Sequence, residues 1–236
     1  QLGASQHFMT YGIDLMRTSV ESMRDGTIRN TNTGVVTHGL AGETYPLRDF
    51  ANGTTDTLGI FVQDEISFMG GRALLTPGLR YDRTTLKPEL DTLAEQALTS
   101  INRQAVEQTN SHFSPKLGIV WKFDDVLSTF GQIASGFRAP NYNEVNGAFR
   151  NSAQIYATSP NPDLKPETSV GVELGLRAKT ATSRGQISVY DNRYKDFIES
   201  VRLNCPSDPS CVKIGSTNYT TYTSQNISNV RIYGAE

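Results

Sequence analysis

The sequence predicts an all-β protein, an antiparallel transmembrane β-barrel of which these 236 residues form an incomplete segment of about eight strands. Apolar and polar residues alternate with a period of two in several segments. Short turns and long polar connections follow one another strictly along the chain. No segment approaches the ~20 apolar residues of a membrane helix. The mean hydropathy of −0.40 is compatible with a barrel, because only every second strand residue meets lipid.

The clearest alternation runs through residues 167–179, where one face is aliphatic and the other is polar. We expect Val170, Val172, Leu174 and Leu176 to face lipid, and Glu173, Gly175 and Arg177 to face the lumen. Weaker alternation predicts seven more strands, at 7–15, 56–68, 73–81, 116–123, 127–137, 186–197 and 230–236. We find no convincing amphipathic helix.

The connections between these segments are of two kinds. Short turns lie at Gly70-Gly71, at Asp124-Asp125 and at 180–183, whereas the long connections are 19–53, 85–111, 138–166 and 199–228. An outer-membrane barrel has short periplasmic turns and long extracellular loops, and the pattern predicts that arrangement. A soluble β-sandwich also alternates with period two, but it does not explain why the long connections fall at one end.

The two ends of the chain suggest part of a larger protein. The last segment stops in mid-strand without a closing aromatic residue, and the first residues enter a strand almost at once. Gln1-Leu2-Gly3-Ala4 lacks the basic region and apolar core of a signal peptide, so we expect a mature start or the interior of a longer chain.

The cysteines, Cys205 and Cys211, enclose two prolines that favour a turn. We predict a disulfide between them, formed in an oxidising compartment; the alternative is two free thiols. The net charge of −2 gives no indication of nucleic-acid binding. Neither a Gly-rich phosphate loop nor a nucleophile elbow is present, so we do not expect an enzyme.

Three segments resemble strands of the TonB-dependent receptors. The sequence Gly59-Ile60-Phe61-Val62-Gln63-Asp64-Glu65 resembles their "FxQDE" strand, Ser114-Pro115-Lys116-Leu117-Gly118 resembles their "SPKxG" segment, and residues 229–236 resemble a glycine-containing strand of their C-terminal half. The resemblance implies that residues 1–236 belong to the barrel domain of such a receptor, with its plug domain and remaining strands absent.

A pair of motifs is more specific. Phe137-Arg138-Ala139-Pro140 ends a strand, and Asn161-Pro162-Asp163-Leu164 leads into the next one. This bracket is similar to that of the haem and haemoglobin receptors. The resemblance implies a bacterial outer-membrane receptor in a lipid bilayer, with haem as its transported ligand. It also implies haem, haemoglobin or a haemophore as the outer partner, and a TonB inner-membrane complex acting through the N-terminal part. A siderophore receptor and a passive porin or structural barrel are the alternatives.

The loop between the motifs departs from many relatives, whose loop supplies a histidine to haem iron. Residues 141–160 contain no histidine, but they contain two tyrosines, and a tyrosinate can ligate ferric haem. We predict Tyr156 as the ligand, with Tyr142 as the second choice; the alternative is that both only pack or face solvent. His7 is expected in the barrel wall, whereas His38 and His112 are expected in long loops, from which each could approach a ligand.

Overall fold

In a computed structural model, which describes residues 5–40 and 42–236, eight long strands form one antiparallel sheet. Residues 1–4 and residue 41 lie outside the described ranges, and the expectation of a mature start or an interior segment rests on residues 1–4. Each strand pairs with the next along the chain, which confirms the predicted meander. The strands are β1 (Gln6–Val20), β2 (Asn52–Phe68), β3 (Ala73–Glu89), β4 (Gln108–Lys122), β5 (Leu127–Arg138), β6 (Glu167–Lys179), β7 (Arg184–Lys195) and β8 (Val230–Ala235).

Short and long connections alternate as predicted. The short ones are a 3-10 turn at Met69–Gly71, a turn at 123–126 and a turn at 180–183. In the first, Gly70 and Gly71 have φ angles of 65° and 85°, the left-handed region that glycine adopts without steric cost. The long connections, 21–51, 90–107, 139–166 and 196–229, therefore all leave the opposite end of the sheet.

The register of the sheet separates an aliphatic face from a polar one. On β6, Val172 lies opposite Ile133 of β5, and its neighbour Glu173 lies opposite Gln132. Val172 is 48% exposed on the aliphatic face, whereas the Glu173 carboxylate accepts a hydrogen bond of 2.7 Å from Gln132 on the polar face. The long connections cover the loop end of that polar face, where Leu86 of β3 is 1% exposed. The predicted alternation is confirmed.

Four strands extend further than their alternation predicts. β1, β2, β3 and β4 all run several residues beyond the predicted segments toward the long connections. On the aliphatic face of β3, Leu79 and Tyr81 give way to Arg83 and Lys87 at the loop end. The strands remain paired beyond the lipid, where outward-facing positions no longer have to be apolar. Periodicity alone therefore does not locate the ends of the strands.

The long connections contain secondary structure of their own, which corrects the expectation that no helix is present. Helix α1 spans Thr92–Ser100, and helix α2 spans Tyr142–Asn146. Both are short and depend on side-chain caps, so they leave little periodic signal in the sequence. No helix in the described ranges is long and apolar enough to cross a membrane. Three two-stranded ribbons are also present, Ile28–Arg29 with Val36–Thr37, Gly39–Leu40 with Glu43–Thr44, and Lys213–Ile214 with Thr217–Asn218.

A second sheet of four short strands, here called the loop sheet, joins two of the long connections. Its strands in spatial order are Arg150–Asn151, Tyr156–Ser159, Thr220–Ile227 and Phe197–Arg202. Tyr156–Ser159 pairs parallel to Thr220–Ile227, so residues 139–166 and 196–229 share backbone hydrogen bonds. The chain leaves β7 for the loop sheet at Asp196, whose φ is 54°. The predicted strand at 186–197 therefore ends two residues earlier, at Lys195.

Candidate functional site

The two motifs that bracket the long connection 139–166 meet through Arg138, the last residue of β5. Its guanidinium binds Glu167, the first residue of β6, through two bonds of 2.6 and 2.8 Å. It also donates to both carboxylate oxygens of Glu144 in α2, at 3.1 Å each. Glu167 in turn accepts a bond of 2.7 Å from the backbone N–H of Ile198 in the loop sheet. One arginine thus holds two strand ends, a helix and the loop sheet together.

Helix α2 is capped at its start by two reciprocal hydrogen bonds between Asn141 and Glu144. The Asn141 side chain accepts from the Glu144 N–H at 2.9 Å, and the Glu144 carboxylate accepts from the Asn141 N–H at 2.7 Å. The helix ends in Asn146, which is fully buried and makes two hydrogen bonds to the backbone of Val106. These caps allow a helix of only five residues to hold a fixed position beside the strand ends.

Tyr142 of α2 lies in an apolar core at the loop end of the sheet. Its side chain is 4% exposed, and its hydroxyl donates to the backbone oxygens of Ala51 and Asn52, at 2.9 and 3.1 Å. Burial raises the pKa of Tyr142 to about 12, so the phenolate form is disfavoured. Gly53 is required beside it, because a Cβ there would lie 2.6 Å from the Tyr142 oxygen.

The second motif packs against the same core. Leu164 is 3% exposed and joins Leu86, Tyr142, Val145 and Ile198 in one cluster. Asn161 donates at 2.8 Å to the backbone oxygen of Ser224 in the loop sheet, and its side-chain oxygen accepts from the N–H of Asp163. Pro140, on the other motif, is fully buried as well. Both motifs therefore fix the ends of the connection through Arg138, Pro140, Asn161 and Leu164, whereas Pro162 and Asp163 are exposed.

Tyr156 opens the loop-sheet strand Tyr156–Ser159. Ala157 and Ser159 are buried at 1% each, so the alternation of the strand places Tyr156 on its other side, where it is partly exposed. The Tyr156 ring lies 5.6 Å from the Phe149 ring. The Arg24 guanidinium lies 5.3 Å from the centre of the same Phe149 ring. Both tyrosines have an aromatic neighbour, Phe149 for Tyr156 and Phe50 for Tyr142, but only Tyr156 is partly exposed.

A network of charges that the sequence did not reveal ties the first long connection to this one. Arg24 binds Glu43 at 3.1 Å and Asp49 at 2.9 Å, and it donates to the backbone oxygen of Arg150 at 2.9 Å. Glu43 is 5% exposed and also accepts from the N–H of Ser152. Burial raises the pKa of Asp49 above its ordinary value. Removing any one member would leave a desolvated charge, so the network holds the two connections together.

One family model decides which protein family the chain belongs to. A family model described as "TonB dependent receptor-like, beta-barrel" matches residues 2–236. The chain belongs to this family. The eight-strand sheet is accordingly part of a TonB-dependent receptor barrel, with its aliphatic face toward the lipid of an outer membrane, its polar face toward the lumen and its long connections outside the cell.

Two curated relatives illustrate the range of this receptor family. The chain is 33% identical over 150 residues to the iron-regulated outer membrane virulence protein of Vibrio cholerae, a match that covers 61% of the chain and 22% of the relative. It is 26% identical over 240 residues to the heme/hemopexin utilization protein C of Haemophilus influenzae, covering 96% of the chain and 29% of the relative. The chain thus spans less than a third of these relatives.

Solved receptor structures share the fold. The hemophore receptor HasR of Serratia marcescens, in complex with its hemophore HasA and heme, matches with a TM-score of 0.64 and 15% identity, over 98% of this chain and 38% of that one. The ferric enterobactin receptor PfeA of Pseudomonas aeruginosa, in complex with enterobactin, matches with a TM-score of 0.66 and 22% identity, over 98% and 30%. At these identities the likeness shows the barrel fold alone.

The histidines of this receptor segment occupy three settings. His7 lies on β1, in the barrel wall as predicted, and its Nδ1 is 2.6 Å from the carboxylate of Asp64. His38 lies exposed in the first long loop. His112 was expected in a loop but lies within β4, where its ring stacks on Phe137 at 5.3 Å. Among the described residues no group of three or more His, Cys, Asp or Glu side chains is arranged to hold a metal ion.

The lumen face of the receptor strands carries a charged cluster around Arg80 of β3. Its guanidinium lies 2.8 Å from both Asp14 and Asp82 and 5.9 Å from the centre of the Phe61 ring. Gly59 leaves the space for it, because a Cβ there would lie 2.1 Å from the Arg80 side chain. The glycine that opens the "FxQDE"-like segment thus accommodates an arginine of the neighbouring strand.

Cys205 and Cys211 are disulfide-bonded, as predicted, with their Cα atoms 5.6 Å apart. The bridge closes a loop that is anchored by the buried residues Leu203 and Val212 on its two sides. Arg103, just after α1, donates to the backbone oxygen of Pro209 at 3.1 Å. The bridged loop is therefore packed against the connection that contains α1.

We expect replacement of both cysteines by serine to loosen only this loop. A closed loop this short gains less than the ~3 kcal/mol of a fifteen-residue one, and Leu203 and Val212 still anchor its ends. Limited proteolysis of the full-length protein should show faster cleavage at 204–211 and unchanged cleavage in the other long loops. Cleavage that spreads into the strand Thr220–Ile227 would contradict a local role.

Proposed function

We propose that this chain is the part of an outer-membrane receptor that captures haem for TonB-dependent uptake. Its extracellular loops would receive haem, or a protein that carries haem, and Tyr156 would supply a phenolate oxygen to the iron. The single observation that carries the proposal is the anchored connection between the two motifs. This connection is fixed at both ends by Arg138 and Leu164, and it presents Tyr156 partly exposed on the loop sheet.

Tyr156 suits an iron-bound phenolate better than Tyr142 does. Free tyrosine has a pKa of ~10, so ligation requires that the ferric ion itself stabilise the anion. The Arg24 guanidinium lies 5.3 Å from the Phe149 ring, but it is paired with Glu43 and Asp49, so the iron itself has to stabilise the phenolate. The buried hydroxyl of Tyr142 already donates to the backbone oxygens of Ala51 and Asn52, which favours Tyr156 over Tyr142 as the iron ligand.

A siderophore receptor is the second candidate function, and one observation favours it. A sequence relative named ferric enterobactin receptor, from Pseudomonas aeruginosa, is 25% identical over 218 residues, 88% of this chain and 25% of that relative. The pair of motifs and the relative named for heme/hemopexin utilization favour haem. A passive porin is the third candidate. The long connections pack into two apolar clusters, one around Leu98, Val212 and Tyr219 and one around Leu86, Tyr142 and Leu164, and such packed loops argue against an open pore.

Absorbance titration separates these three candidates. The full-length receptor in detergent is titrated with ferric haem and, separately, with a ferric catecholate siderophore. Saturable binding of haem with a tyrosinate-to-iron charge-transfer band supports the proposal. Binding of the siderophore alone transfers the function to the second candidate, and binding of neither leaves the passive barrel.

We expect Tyr156→Phe to abolish that charge-transfer band and to weaken haem binding. The substitution keeps the ring that contacts Phe149 and removes only the oxygen, so the barrel should fold as before. Tyr142→Phe is the matched control. It also removes a hydroxyl from this connection, but that hydroxyl donates to backbone oxygens. If Tyr142→Phe alters the haem spectrum and Tyr156→Phe leaves it unchanged, the assignment of Tyr156 is wrong.

A further inference from the structure

Two arginines face each other on the lipid-facing side of the sheet, near the loop end of β7 and β8. Arg193 and Arg231 are direct cross-strand partners, and one carboxylate, Asp191, lies between them. Asp191 accepts from Arg231 at 2.8 and 3.1 Å and from Arg193 at 3.0 and 3.2 Å. The register of β6 and β7 places Asp191 opposite Val172, so the whole group lies on the aliphatic face.

The charges in this group do not balance. Like charges directly opposite one another on two strands destabilise the pair, and within the described strands one carboxylate neutralises only one of the two guanidinium groups. Arg193, whose strand is paired on both sides, remains 69% exposed and keeps donors directed away from the protein. Lys195, two residues along the same face, is also exposed and adds further positive charge. The arrangement is therefore suited to an additional anion.

The position along the strand indicates where that anion lies. Arg193 is nine residues beyond Arg184, the first residue of β7, which is about 30 Å along a strand. At a strand tilt of ~40° this is about 23 Å along the membrane normal, close to the outer edge of a ~25 Å apolar band. Tyr233, 70% exposed, lies on the same face with the Arg231 guanidinium 4.9 Å from its ring centre. Exposed aromatic residues mark this interfacial level in barrels.

We propose that Arg193 and Arg231 form a binding site for the phosphate group of an anionic lipid in the outer leaflet. Two planar guanidinium groups side by side match the oxygens of a phosphate, and their hydrogen bonds to it are charge-assisted. Below the arginines, Val189 and Leu174 are cross-strand partners on the same face, and both are exposed. They provide an apolar surface for the acyl chains, which a soluble phosphate would not use.

The test uses the full-length receptor in phosphatidylcholine nanodiscs that contain spin-labelled phosphatidic acid. The fraction of label immobilised by the protein gives the preference for the anionic lipid. The double variant Arg193→Gln/Arg231→Gln should lower that preference roughly 10- to 30-fold, since each cation near the surface contributes about 1 kcal/mol. Lys179→Gln/Arg184→Gln is the matched control: it removes the same charge from another directly paired position, at the turn end of β6 and β7.

A second variant tests the site without removing an arginine. Asp191→Asn frees both guanidinium groups and should raise the preference for phosphatidic acid. No change in either variant, or equal losses in the double variant and its control, would overturn the proposal. Displacement of the label by millimolar inorganic phosphate would also overturn it, because the site would then bind free anions rather than lipid. Heat-modifiability of the barrel on denaturing gels confirms that each variant is folded.

Discussion

Replacing Arg138 by methionine is expected to lower the free energy of unfolding by about 2–3 kcal/mol. Breaking a buried ion pair by removing one partner costs 3–5 kcal/mol, and the 41% exposure of the Arg138 side chain reduces this. Glu167, only 10% exposed, would lose both hydrogen bonds from the guanidinium, and Glu144 would lose two more. The ends of β5 and β6 and the start of α2 would then separate.

The measurement is urea unfolding of the full-length receptor from lipid bilayers, with limited proteolysis at residues 139–166. Arg177→Met is the control, because Arg177 lies on the same face of β6 as Glu167 and its side chain, among the described residues, donates hydrogen bonds only to Gln186. Adding Glu167→Gln to the Arg138 variant should recover part of the loss by removing the unpaired charge. An Arg138→Met variant as stable as Arg177→Met would show that the arginine does not anchor the connection.

Leu174→Arg is the second substitution with a large expected effect. Leu174 lies on the aliphatic face of β6, five residues from the turn end of the strand, which is about 13 Å along the membrane normal and near the bilayer midplane. An arginine on the lipid face near the bilayer midplane costs about 2–4 kcal/mol. The free energy of unfolding from bilayers should fall by that amount.

Glu173→Arg is the matched control for Leu174→Arg. It places the same residue one position along β6, on the lumen face, where water solvates the guanidinium. It removes the hydrogen bond from Gln132, so a small loss is expected. If Glu173→Arg is the more damaging of the two, the faces are reversed, because a shift of one residue in a strand exchanges all its side chains between faces.

The barrel was predictable because its strands repeat one simple pattern. In β6 every second residue is aliphatic, and the pattern follows from lipid on one side and water on the other. The aliphatic pattern does not continue beyond the lipid: Arg83 and Lys87 on β3 are polar although the strand continues. His112, expected in a loop, likewise lies within a strand, on the lumen face of β4 opposite Asp82.

The candidate site was only partly predictable. The motif around Arg138 and the residue Leu164 could be located from the sequence, but their roles as an ion-pair centre and a core residue became visible only in the structure. The connection between Arg24 and Arg150 joins residues 126 positions apart, and no local pattern encodes such a pairing. The buried hydroxyl of Tyr142 likewise depends on the backbone of Ala51, a distant part of the chain. The assignment of Tyr156 to iron stays a prediction.

The parallel pairing of Tyr156–Ser159 with Thr220–Ile227 has a consequence for the exchange of specificity between receptors. A graft that transplants only residues 139–166 into another barrel would bring a strand whose partner stays behind, and its backbone N–H and C=O groups would lose their hydrogen bonds. The recipient's own second loop would be left with an open edge. Chimeras should therefore inherit both connections together, and natural variation in one should be accompanied by matching variation in the other.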